Sequence, residues 1–212
     1  ADILARAVGL TEAALQRWLP DEHEPPTYLH QAMRYAVFAG GKRLRPALVL
    51  AAAEACGAPG DSPAVGHCLA AVEVLHTYTL VHDDLPAMDD DSLRRGKPTN
   101  HKVFGEAFAI LAGDALLTQA FIVMTNGVAM ESISRKSLLR ACNEMARAIG
   151  STGVIGGQVV DIESEGKSID AETLEYIHIY KTGFLLRACL RCGSILSNAA
   201  PEQLAALSRY GS

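Results

Sequence analysis

Aromatic residues are scarce in this sequence, positive charge is not in excess, and no cysteine pattern suggests a disulfide framework. Aromatics make up 6% of the 212 residues, and the net charge is −5 with histidine neutral. A slightly acidic chain argues against nucleic-acid binding, which rests on a basic surface facing phosphates, so no nucleic-acid partner is expected. The five cysteines are an odd number without framework spacing, which points to a reducing compartment and a cytoplasmic location. Cys189 and Cys192 form one CxxC with no second pair or nearby histidine, and are expected to be small core residues on a helix rather than zinc ligands. Glycine and proline are dispersed, which excludes low-complexity and disordered classes. No apolar run approaches the roughly 20 residues needed to cross a bilayer, so no stable membrane insertion is expected. The opening ADILARAVGLTEAALQRWL has charges interrupting its apolar residues at helical spacing and is expected to be an amphipathic helix, not a signal peptide. Alternation of apolar and polar residues, the mark of strands, is absent too.

Apolar residues at helical spacing run almost throughout. Hydrophobic residues are 49% of the chain, enough for a sizeable core. Leu4, Val8, Leu15 and Trp18 mark a first helix, stopped at Pro20. Further helices are expected from Tyr28 to Phe38, from about Lys42 to Cys56, and from near Ser62 to about Asp84. The stretch from Asp89 to Asn100 is polar and contains Gly and Pro, hence a loop. Helices then cover Phe104–Thr125, Ser134–Ile149, Gly153–Ser164, Ala171–His178, Thr182–Ser197 and Pro201–Tyr210. The fold class is all-α, with residues 1–212 forming one domain of packed long helices.

The chemistry concentrates in HTYTLVHDDLPAMDDDSLRRGKPTNH, beginning at His76. Asp83, Asp84, Asp89, Asp90 and Asp91 crowd carboxylates at the end of an apolar helix, where mutual repulsion raises their pKa values unless water or a shared cation relieves it. Carboxylate oxygens suit Mg²⁺, which keeps several waters and bridges to substrate phosphates. Arg94, Arg95 and Lys97 follow at once, and acid for metal beside base for phosphate favours a diphosphate–Mg²⁺ site over a merely solvated acidic helix end. An EF-hand is excluded by its missing spacing and glycine. A second basic cluster, GGKRLRP, places Lys42, Arg43 and Arg45 at the expected start of a helix, where free N–H groups and the dipole favour anions; the alternative is a plain basic surface patch. Its spacing is not that of a phosphate-binding Walker A loop. His76 lies two turns before Asp83 on nearly the same face, and His82 adjoins the carboxylates. Two glycines precede Gln158 and Asp161 inside a helical stretch, at a cost of about 1 kcal/mol each, which suggests close approach of another helix or of a substrate. Lys181-Thr182-Gly183 marks a helix junction, or an ammonium and a hydroxyl aimed into a cavity.

Together, GGKRLRP, LVHDDLPAMDDDSLRRGKPTNH, AGDALL, GGQVVDIESEGK and YIHIYKTG occur in an order that resembles the trans-isoprenyl diphosphate synthases, and within them the bacterial farnesyl diphosphate synthases. The resemblance runs from about Tyr35 to Arg187. It implies an isoprenoid synthase-type bundle of long antiparallel helices around a central cavity. It also implies a homodimer and a requirement for Mg²⁺, with Mn²⁺ as a substitute. Asp83, Asp84 and Asp89 correspond to the first aspartate-rich motif, with Asp83 and Asp89 as metal ligands and Asp161 near the metal. Arg94 is implied to contact the allylic diphosphate, while Lys42, Arg45, His76 and Arg95 hold isopentenyl diphosphate. Lys181 and Thr182 are implied to flank the allylic group, with Gln158 beside the metal–diphosphate cluster. Tyr78 and Thr79, five and four positions before Asp83, are implied to form the floor that limits product length, about 7.5 Å down the helix at 1.5 Å per residue.

The implied reaction condenses isopentenyl diphosphate with dimethylallyl or geranyl diphosphate to give farnesyl diphosphate. A geranylgeranyl product is the nearest alternative. A class I terpene cyclase would have no use for the second basic site at Lys42, Arg45 and Arg95, and the intact first motif argues against a non-catalytic subunit. The family carries a second DDxxD motif on a later helix. These 212 residues hold no candidate for it, and the expectation is that a C-terminal part bearing it is missing.

Overall fold

A computed structural model describes residues 2–211; Ala1 and Ser212, the limits of the expected domain, lie outside the described residues. The helices are α1 (Ile3–Trp18), α2 (Thr27–Val37), α3 (Leu44–Ala55), α4 (Pro63–Asp83), α5 (Asn100–Phe104), α6 (Glu106–Met124), α7 (Gly127–Ser132), α8 (Arg135–Ile149), α9 (Val154–Ser164), α10 (Ala171–Ile177), α11 (Phe184–Leu196) and α12 (Pro201–Tyr210). A π-helical segment, His178–Gly183, joins α10 to α11 without a break.

α4 is the centre of the bundle. Its run of Ala, Val and Leu is apolar on every side, as befits a helix with neighbours all round, and it packs against α1, α3, α6 and α11. Pro63 opens it, where a missing N–H costs nothing. α8 starts at Ser134, whose hydroxyl accepts from the Ser137 N–H at 3.1 Å, and α10 at Asp170, whose carboxylate accepts from the Thr173 N–H at 2.8 Å. α11 packs between α3 and α8; Cys189 and Cys192 are fully buried on it, the core role expected of them.

Several expectations are corrected. The third helix begins at Leu44, not Lys42, because Arg43 adopts the left-handed conformation at φ +48°. Lys42 and Arg43 therefore precede the helix instead of forming its first turn. The helix expected over Phe104–Thr125 is broken by Gly105 at φ +86°, leaving α5 as a separate turn. α7 carried no recognisable signal. The gap expected between the helices ending at His178 and starting at Thr182 is filled by the π-helical segment, so Lys181 stands at a junction with no break in the helix. The loop after Asp89 contains a two-residue hairpin, β1 (Leu93–Arg94) and β2 (Lys97–Pro98), with Arg94 opposite Lys97. Arg95 and Gly96 make its turn with φ of +54° and +78°, the primed-turn geometry that suits strand twist. Finally, two stretches, Pro63–Asp83 and Glu106–Ala129, are long and apolar enough by composition to cross a membrane, contrary to the expectation of none. The first is enclosed by other helices, whereas α6 leaves Phe108, Leu111 and Ile122 exposed.

Candidate active site

The acidic cluster is shaped by the end of α4. Asp83 is its last residue and Asp84 its cap. The chain then folds back, so that the Asp89 N–H donates to the Asp83 carbonyl at 2.8 Å and the Asp90 N–H to the Leu85 carbonyl at 3.1 Å. Burial pushes the Asp83 carboxyl up to about 6; Lys181 opposes this, and Asp89 and Asp84 add to it. Asp84 faces elsewhere. Its carboxylate, 4% exposed, accepts from Arg94 through both Nε (2.9 Å) and Nη2, and Arg94 Nη2 reaches Asp91 at 3.0 Å.

Across from Asp83 lies the π-helical segment. Lys181 Nζ donates to Asp161 at 2.5 Å. Burial pulls the Lys181 ammonium down, but Asp161 first, and then Asp83 and Asp89, outweigh it and hold the pKa above its ordinary value. The glycines before Gln158 now have a reason. A Cβ on Gly157 would stand 2.4 Å from the Lys181 backbone nitrogen, so α9 meets this segment backbone to backbone. Gln158 is buried, and neither atom of its amide has a hydrogen-bond partner among the described residues. Thr182 is exposed beside Lys181.

The second basic cluster gathers around one open basin of about 560 Å³, lined by Lys42, Arg45, His76 and Arg95 together with Glu73. The chain brings them from four places: the segment before α3, its first turn, the middle of α4 and the hairpin turn. Arg95 donates to the Gly40 carbonyl, and a Cβ on Gly41 would lie 2.6 Å from its guanidinium, so the glycine pair leaves room for that side chain. His76 is held neutral, its pKa pulled down to about 3 by burial and then by Arg45 and Arg95. Burial likewise lowers Arg45. Arg43 also lines this basin, but its guanidinium is committed to internal partners. It is 2% exposed and ion-paired at 2.6 Å with both Glu73 and Glu12, with a further hydrogen bond to the Val37 carbonyl at 2.9 Å.

Tyr78 is buried on α4, its ring edge-on to His82 at 5.9 Å, and its hydroxyl has no partner among the described residues. Burial, and then Asp83, push that phenol up to about 12. The Thr79 hydroxyl donates to the His76 carbonyl at 2.8 Å. His82 turns from the carboxylates toward α6, where its Nε2 meets the Ile110 carbonyl at 3.0 Å and Gly113 leaves room for the ring. Sequence reading missed Glu73, and it placed Asp91 in the acidic cluster without its partner Arg94. For Glu73 a signal existed, since a lone acid in an apolar helix is buried only when paired.

Among the described residues no three His, Cys, Asp or Glu side chains form a ready metal cage. The donors near Asp83 are nonetheless hard carboxylate oxygens in a partly buried place, with Asp89 and Asp84 nearby, which suits an ion bound through one or two carboxylates and completed by water or phosphate oxygens.

The polyprenyl synthetase family model matches residues 26–212. The chain is 50% identical over 188 residues to the farnesyl diphosphate synthase of Bacillus subtilis (strain 168), covering 88% of this chain and 62% of that protein. It is 45% identical over 207 residues to the chloroplastic heterodimeric geranylgeranyl pyrophosphate synthase large subunit 1 of Arabidopsis thaliana, covering 95% of this chain and 55% of that protein. The chain thus spans roughly three-fifths of the length of these curated relatives. The crystal structure of an FPP/GFPP synthase from Zymomonas mobilis superposes with a TM-score of 0.90 at 34% identity, covering 99% of this chain and 76% of that one. Motif order, helical architecture and family match agree, and the chain belongs to the polyprenyl synthetase family.

Proposed function

We propose that the protein is a prenyltransferase that condenses isopentenyl diphosphate with dimethylallyl or geranyl diphosphate, releasing diphosphate and forming farnesyl diphosphate. The observation that carries this reading is the pairing of two anion sites on either side of α4's last turns. Lys42, Arg45, His76 and Arg95 surround one basin, while Asp83, Asp89, Arg94 and Lys181 gather at the helix end. A reaction joining two diphosphates needs both.

Asp83 and Asp89, with Asp161 behind Lys181, are the residues that would hold a divalent cation, Mg²⁺ or Mn²⁺. Such an ion, when bound, supplies charge neutralisation for the leaving diphosphate. Arg94 and Lys181 grip the allylic diphosphate, so that its C–O bond ionises against fixed positive charge. The Thr182 oxygen faces the developing cation, and Gln158 orients the diphosphate. Lys42, Arg45, neutral His76 and Arg95 hold isopentenyl diphosphate with its double bond against the allylic carbon. The new C–C bond forms, and a proton leaves to the departing diphosphate. Residues 1–212 act in this as one helical domain in a reducing, cytoplasmic setting.

The farnesyl product rests on Tyr78, a bulky buried ring five residues below Asp83. A geranylgeranyl product is the second reading, favoured by the plant relative. A homodimer is part of the proposal, since α6 leaves an apolar face of Phe108, Leu111 and Ile122 uncovered. Incubating the intact protein with Mg²⁺, labelled isopentenyl diphosphate and dimethylallyl diphosphate should give labelled farnesyl diphosphate. No incorporation of the labelled isopentenyl diphosphate, or a hydrocarbon formed from geranyl diphosphate without it, as a cyclase would give, contradicts the proposal.

A further inference from the structure

We propose that Asp84 and Asp91 are positioning residues that fix the guanidinium of Arg94. The inference rests on the prenyltransferase reading above and assigns a division of labour within it. Adjacent residues on a helix point about 100° apart, so Asp83 and Asp84 cannot present their carboxylates in one direction. The Asp83 carboxyl lies in the field of Lys181 and Asp89. Asp84 turns to the hairpin, where its Oδ1 accepts from both Nε and Nη2 of Arg94.

A guanidinium has five N–H donors in a rigid plane. Asp84 and Asp91 occupy the Nε–Nη2 edge of Arg94, and no hydrogen bond is made by Nη1 among the described residues. Two carboxylates thus fix the plane and leave the Nη1 side as the edge that can meet an anion. The Asp84 side chain is 4% exposed, with its Oδ1 committed to two N–H groups. Asp91 is set by its own neighbours. Its carbonyl accepts from the Thr99 hydroxyl at 2.8 Å, and the Thr99 N–H donates to the Ser92 carbonyl at 3.1 Å, so the hairpin base holds Asp91 and Arg94 in register. Charge-assisted contacts of this kind hold an anion clamp ready before the ligand arrives.

The test uses the intact protein, with Asp84→Asn, Asp91→Asn, Asp91→Glu and Arg94→Lys. Calorimetry with inorganic diphosphate and Mg²⁺ gives binding without turnover, and steady-state kinetics gives KM for each substrate. Asp84→Asn should raise KM for the allylic diphosphate about tenfold and Asp91→Asn about threefold, with the weaker diphosphate binding to match. KM for isopentenyl diphosphate and the Mg²⁺ concentration for half-maximal activity should stay within about twofold, and Asp91→Glu should restore the wild-type KM. In an Arg94→Lys background the Asn substitutions should add little. A shift in Mg²⁺ requirement for Asp84→Asn, or effects that add fully to Arg94→Lys, overturns the inference. Asp91 is half exposed, so its variants test the idea even where Asp84→Asn unfolds. Wild-type protein that binds no diphosphate removes the functional reading and this inference with it; wild-type binding with unshifted variants removes this inference alone.

Discussion

His76 sits among Arg45, Arg95, Arg94 and Arg43, and burial together with that company holds its pKa near 3. The unfolded chain would titrate near 6.5. Above that pH both states are neutral and nothing is lost. As pH falls below it, the unfolded chain takes up a proton that the folded chain refuses, so stability drops toward pH 3. His76→Gln should therefore flatten the acid side of the stability curve, gaining up to about 2 kcal/mol on wild type at pH 5 and nothing at pH 7.5. Urea midpoints at the two pH values check this, and an unchanged difference contradicts it. The other residue-scale prediction concerns Tyr78, whose buried ring is proposed to close the cavity floor. Tyr78→Ala in the intact protein should keep condensation and lengthen the product beyond farnesyl diphosphate, read by chromatography of the dephosphorylated alcohols. An active variant with unaltered product length means the floor is elsewhere. Single residues were legible where a motif carried them. Glu73 and the pairing of Asp91 were not, since a carboxylate's partner is decided by what folding places beside it: Arg43 and Arg94 here.

At the level of elements, the decisive contact is α9 against the π-helical segment. Gly157 lets the two backbones meet, and one turn further along α9 Asp161 reaches Lys181. A methyl at Gly157 would press on main-chain atoms that no rotamer change can move. Gly157→Ala should cost about 1–3 kcal/mol and pull Lys181 from its partner. Thermal melts and diphosphate affinity should both fall, whereas Gly66→Ala on α4, where an added Cβ meets nothing within 4 Å, should leave affinity unchanged and not lower the melt. Helix existence was legible from periodicity for all the helices but the short α5 and α7, and boundaries were legible where proline or a capping side chain set them. The start of α3 was not. The left-handed turn at Arg43 is imposed by its buried ion pairs with Glu73 and Glu12, partners 30 and 31 residues away. The hairpin at Arg94 escaped notice because two-residue strands carry no alternation. It is secured from outside by the Tyr35 hydroxyl on the Pro98 carbonyl at 2.8 Å.

For the whole molecule, α6 raises the question of what covers its outer face. An uncovered row of Phe108, Leu111 and Ile122 opposite a buried one is the mark of a surface that meets another apolar surface. With a second copy as the proposed occupant, Leu111→Glu combined with Ile122→Glu should convert a dimer into monomers at micromolar concentration. Sedimentation velocity checks this; a monomeric wild type, or a dimer that survives both charges, contradicts it. Composition and periodicity by themselves determined the all-α class, because helical spacing of Leu and Ala needs only local geometry to be read. Motif order determined the family, because carboxylates, arginines and glycines in that succession are specific. Only the tertiary structure decided which charges face the basin and which are consumed internally. Lys42, Arg43 and Arg45 look alike in sequence and all three line the basin, yet among the described residues only Arg43 is ion-paired there, with Glu73 and Glu12. Likewise Asp83 and Asp84 are identical side chains one residue apart, yet Asp84 is hydrogen-bonded to Arg94 while Asp83 feels the charge of Lys181 first among its neighbours.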